Sequence, residues 1–230
     1  MHNNTISSLH RYSNRFLRST DLIRDFRDPN GLDGYTLTEF GQSCLNRIGD
    51  GFRQNSGRRA WRLTGDFGSG KSSFALLLAN LLRDTRQDMP KELLGQALEC
   101  IPEAKKQNYV PVLVSGCREP IAYSIISSLY SVLTELYSRG AKSELLEKIE
   151  KVVAHGKVSD KVALELLQEA NSKVIQSEKG CGISLILDEV GKFLEFAAMN
   201  SEQQDVFFLQ QLAEMATRSG KRRLIVVCLL

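Results

Sequence analysis

Gly65-Asp66-Phe67-Gly68-Ser69-Gly70-Lys71-Ser72 is the stretch on which the reading of this chain turns. It fits G-x-x-x-x-G-K-[ST] at every fixed position, and each part has a physical role. Glycine at 65, 68 and 70 lets the backbone turn tightly and bring its N–H groups close to phosphate oxygens. A helix beginning near Lys71 would aim its positive dipole end at the same anion. Lys71 supplies a mobile ammonium for terminal phosphates, and the Ser72 hydroxyl suits a magnesium ion. Asp66, Phe67, Ser69 and the following Ser73 complete the candidate phosphate-contacting set.

Working outward, the loop sits between two different periodicities. Ala60-Trp61-Arg62-Leu63-Thr64 reads as a strand, and the Leu- and Ala-rich run from Ser72 to Arg83 as a helix. Val110-Pro111-Val112-Leu113-Val114 reads as a second strand, and Ile121 to Tyr137 as a helix. Ile183 to Leu187 is a continuous apolar run, as expected of a strand buried on both faces. A helix from about Glu202 to Ser219 and a last apolar run, Leu224 to Leu230, follow. Strands alternating with helices predict an α/β fold with right-handed crossovers and a parallel sheet.

Residues 1–57 form a polar lead-in, with turn signals at Asp28-Pro29-Asn30-Gly31 and Asp33-Gly34. Thr38 caps an expected short helix through Phe40, Cys44, Leu45 and Ile48. The core is assigned to 58–230, including a helical insert over 142–177. There Leu145, Ile149, Val152 and Val153 share one face, His155-Gly156-Lys157 breaks the helix, and Ser159-Asp160 starts another. A hairpin packed on the sheet is the expectation for that insert. Val227-Cys228-Leu229-Leu230 closes the chain inside an apparently buried strand, which reads as the amino-terminal part of a longer protein.

Composition narrows the classes. With 42% hydrophobic and 25% charged residues, the 230-residue chain reads as globular rather than disordered. The net charge of +3 and the short basic clusters Arg58-Arg59, Lys105-Lys106 and Lys221-Arg222-Arg223 read as solvated surface. The five cysteines are scattered without a CxxC pair, and the three histidines lie far apart, so no zinc or disulfide framework is expected. The polar amino terminus (His2-Asn3-Asn4-Thr5) has no signal-peptide pattern, and no apolar run is long enough to span a bilayer. A cytoplasmic protein with reduced thiols is the expectation.

Ile183-Ser184-Leu185-Ile186-Leu187-Asp188-Glu189 places two carboxylates at the carboxyl end of the buried strand, the edge where open α/β sheets bind ligands. Together with Gly65 to Ser72 and the order of elements, this segment resembles the P-loop NTPases of the AAA+/STAND-like ATPase group. That group includes origin-recognition-type ATPases and the large ATPases of bacterial anti-phage defence. The resemblance covers about residues 58–230, with Gly65–Ser72 as its Walker A and Leu185–Glu189 as its Walker B motif. It implies a three-layer sandwich with a mostly parallel sheet, AAA+/ASCE-like, with the helical insert between the second and third core strands. It implies ATP and Mg2+ as ligands, with Asp188 and Ser72 serving the metal and Glu189 and Lys71 serving catalysis. Phosphoryl transfer needs charge neutralisation and an oriented water, which agrees with those residue types. Self-association or a protein partner, and nucleic acid, are the partners it points to. Tyr35-Thr36-Leu37-Thr38 sit where members of the group contact the base.

Alternatives stay open at this point. Asp188-Glu189-Val190-Gly191 also matches the D-x-x-G of GTPases, although no N-K-x-D guanine-reading motif occurs. A nucleotide-gated interaction module with little or no turnover uses the same residues. So does a small-molecule kinase, but no Arg-rich lid segment follows the loop. A truncated product acting only as an interaction module is the fourth reading, and the intact loop argues against it. Arg218, Arg222 and Arg223 precede or begin the last strand, the wrong place for the group's arginine finger, and none is assigned. Trp61 reads as packing on the first strand, and Phe193-Leu194-Glu195-Phe196 as part of a buried helix.

Overall fold

The computed structural model describes residues 19–53, 55–86, 88–139, 143–200 and 205–230. The polar start of the lead-in, residue 142 of the insert and the Glu202 start of the late helix lie outside them. Among the described residues four strands form one sheet: β1 (Ala60–Leu63), β2 (Val110–Ser115), β3 (Ile183–Asp188) and β4 (Leu224–Leu229), in the order β1-β4-β3-β2. All three pairings are parallel, with Leu63 opposite Leu229, Leu187 opposite Cys228 and Ser115 opposite Asp188. The carboxyl ends of the strands therefore line one edge of the sheet. β3 is buried at every residue and β4 at all but Cys228, which is why both read as unbroken apolar runs.

Alternation along the strands separates two cores. Val112, Val114, Leu185, Leu187, Leu224 and Val226 face α5 (Ile121–Leu136), α7 (Asp160–Gln176), α8 (Val190–Met199) and α9 (Asp205–Thr217). Leu113, Ile186, Ile225, Val227 and Leu229 face α1 (Leu22–Arg27), α2 (Glu39–Gly49), α3 (Lys71–Leu82) and α4 (Lys91–Cys100). The result is an α/β domain with a parallel sheet between two helical layers.

α3 shows why the lead-in belongs to this core. Every residue from Phe74 to Leu82 is buried, and all but Asn80 are apolar, so the helix needs cover on the side away from the sheet. α1 packs on it, and Leu22, Leu45, Ile48 and Phe52 share its core. The expected cap of α2 is present, with the Thr38 hydroxyl accepting from Gly41 N–H at 3.1 Å. The late helix is preceded by a separate one, α8, directly after the acidic pair.

The insert comprises α6 (Glu144–His155) and α7. Ser143 and Ser159 cap their amino ends, and Gly156 ends α6 in the left-handed region at φ 73°. The two helices pack on α5 and on each other. Asn171 of α7 ties the insert to the sheet, donating to Arg222 O at 2.9 Å and accepting from Ile183 N–H at 2.7 Å. No helix among the described residues is long and apolar enough to cross a membrane.

Candidate functional site

The loop after β1 leads to α3 on one face of the sheet, whereas the turn after β3 leads to α8 on the other. Both connections leave the carboxyl edge of the sheet, the edge where open α/β sheets bind ligands. Only β4 separates the two strands, so their ends lie roughly 10 Å apart at ordinary strand spacing.

Gly68 and Gly70 take φ of 79° and 84°, values that favour glycine, and the space where a side chain would start is open at both. Gly65 is held differently: a Cβ there would lie 2.9 Å from Ser69 Oγ. Asp66 O accepts from Ser69 N–H at 3.2 Å, closing the turn. Gly70 starts α3 without a side-chain cap, so the first N–H groups of this twelve-residue helix have no capping side chain as acceptor. Lys71 folds back, donating to Gly65 O at 2.6 Å and Asp66 O at 2.9 Å. The Lys71 ammonium thus rests on two carbonyls of the loop, at the start of the same helix.

Phe67 is 98% exposed. Ser73 exchanges a hydrogen bond of 2.8 Å with Thr20 Oγ1, which fixes the lead-in to the first turn of α3. Thr20 carries no motif, and nothing in the sequence marks it.

The acidic pair is set by a close main-chain approach. Asp188, the last residue of β3, is 5% exposed, and its Oδ1 accepts from Glu189 N–H at 2.8 Å. Glu189 lies in the left-handed region at φ 51° and begins α8. Opposite it, Gly116 donates its N–H to Asp188 O at 2.9 Å, and a Cβ on Gly116 would come within 2.1 Å of Glu189 O. The Glu189 carboxylate pairs with Lys192 Nζ at 2.5 Å, one helical turn away. The spacing i, i+3 was the available signal for Lys192. Cys117 lies nearby, hydrogen-bonded to Ser124, and burial pushes its thiol up.

A cavity of about 790 Å³, within the range of small-ligand sites, opens beside the loop. Gly65, Asp66, Ser69, Gly70, Lys71 and Ser73 form one wall. The lead-in supplies another through Tyr35, Thr36, Thr38 and Phe40, while Arg47 and Trp61 flank it. Phe67, Gly68, Ser72, Asp188 and Glu189 are not on its walls. Trp61 packs against the α3-side core and also faces this cavity. Compared with known proteins, the chain matches no family model, no curated protein and no solved structure.

Proposed function

We propose that this chain binds ATP with Mg2+ and hydrolyses it, as the nucleotide-binding core of an ATPase of the AAA+/STAND-like kind. The observation that carries the reading is the uncapped amino terminus of α3, with Lys71 beside it, two strands from Asp188 and Glu189 on one sheet edge. Gly68 and Gly70 leave room for oxygens to approach the main chain. Lys71 would leave Gly65 O and Asp66 O for the β- and γ-phosphates, exchanging neutral acceptors for charged ones. Magnesium takes one or two protein ligands, for which Ser72 and Asp188 would serve, and completes its shell with phosphate oxygens and water. When bound, the ion supplies charge neutralisation at the transferring phosphoryl group. Glu189 orients the attacking water and accepts its proton. Glu189 directly after Asp188 is the pattern of the ATPase branch that carries a catalytic glutamate, which favours ATP over GTP.

A second reading, a nucleotide-gated interaction module with little turnover, draws support from the Lys192–Glu189 pair, which occupies the carboxylate that would serve the water. Magnesium-dependent binding of a fluorescent ATP analogue to the wild type and to Lys71→Ala tests the site, with ATP and GTP as competitors. Saturable binding lost in the variant and displaced by ATP is expected. A folded wild type that binds nothing would overturn the reading. Turnover that disappears in Glu189→Gln with binding intact decides for hydrolysis over the module.

A further inference from the structure

The cavity extends well beyond the space three phosphates need. Trp61 precedes Gly65 by four residues on an extended segment, so the wall runs for about 13 Å from the loop along β1. At the Trp61 end the chemistry changes. The indole is half-buried and held in place, with Nε1 donating to Arg58 O at 3.1 Å. The guanidinium of Arg47, from the last turn of α2, lies 5.8 Å from the indole centroid, within the reach of a cation–π contact. Arg47, Arg62 and Lys71 give the cavity three cationic side chains against the single carboxylate of Asp66. One end thus suits oxyanions, and the other offers a flat aromatic and guanidinium pair.

We propose that the Arg47–Trp61 pair is the platform on which the nucleobase of the bound nucleotide stacks. The inference rests on the triphosphate reading and adds to it the residues that take the base. Indole and guanidinium planes both stack on nucleobases, and such stacking tolerates different bases because each has a π-face. A rigid side chain with few rotamers loses little entropy when it does so. The Trp61 anchor to Arg58 O fixes the ring before ligand arrives, so the contact needs no rearrangement of β1.

Trp61 is the single tryptophan of the chain, which makes its emission a direct reporter. The experiment titrates the whole chain with Mg-ATP and with Mg-tripolyphosphate, following tryptophan fluorescence and calorimetry together. ATP is expected to change the Trp61 emission saturably, whereas tripolyphosphate binds at the loop and leaves the emission nearly unchanged. Trp61→Leu should weaken ATP about tenfold while leaving tripolyphosphate affinity as it was. Trp61→Phe, which keeps a ring, should retain most of the ATP affinity and guards against a folding defect. ATP binding that depends on Lys71 yet leaves the emission and the Trp61→Leu affinity unchanged overturns the platform and spares the phosphate site. Loss of both ligands from the folded wild type overturns the phosphate site and the platform with it.

Discussion

Gly116→Ala tests how the acidic pair is held. The added Cβ would stand 2.1 Å from the Glu189 carbonyl oxygen, where contacts below 3.0 Å are essentially never seen. The two main chains must therefore separate by about 1 Å. Neither is free to do so: Ser115 is paired with Asp188 in the sheet, and Gly116 N–H is bonded to Asp188 O at 2.9 Å. Overpacking of this kind costs about 1–3 kcal/mol, which urea denaturation measures as a lowered midpoint at unchanged slope. The displaced group is Glu189, and on the proposed hydrolysis a misplacement of about 1 Å there should lower turnover by roughly 100-fold. Nucleotide binding at the Lys71 loop, across β4, should persist. Gly95→Ala is the control, since Gly95 lies within α4 with open space where its Cβ would be. Removing a helical glycine there should stabilise the chain by about 1 kcal/mol. A Gly116→Ala protein with wild-type midpoint and wild-type turnover would refute the reasoning.

Other expectations concern the rest of the molecule. Arg59 is fully buried and donates to Gly51 O, Gly220 O and Arg53 O, so Arg59→Met should cost about 3 kcal/mol or more in denaturant unfolding by stranding those carbonyls. Asp205 is buried with no partner for Oδ2 among the described residues, and burial raises its pKa. The folded state then holds that proton more firmly than the unfolded one, so the penalty is absent at low pH and grows as pH rises through the two values. Asp205→Asn should accordingly stabilise the chain at pH 7 and lose that advantage near pH ~3, checked by thermal melts across pH. Lys192→Met frees Glu189 from a half-exposed pair worth about 1 kcal/mol, and a steady-state ATPase assay should show turnover rising up to about fivefold.

The sequence determined what depends on near neighbours along the chain. The strand, loop and helix around Gly65–Ser72 were legible because glycine placement and the change of period act within a few residues. The caps at Thr38 and Ser159 and the left-handed break at Gly156 were legible for the same reason. The runs that became β3 and β4 announced burial on both faces, since an unbroken apolar run of strand length suits a strand covered on both sides. Tertiary structure alone decided the rest. The order β1-β4-β3-β2 brings Lys71 within two strands of Asp188 although more than a hundred residues separate them. α1 and Thr20 were not legible, because the lead-in's apolar residues matter only once α3 presents an uncovered face, and α4 packs into that same core. Arg47 meets Trp61, and Gly116 meets Glu189, through contacts that no spacing encodes. Turns, caps and helix dipoles follow local pattern, whereas the cavity's walls come from β1, the loop and the lead-in, segments that meet only in the folded chain.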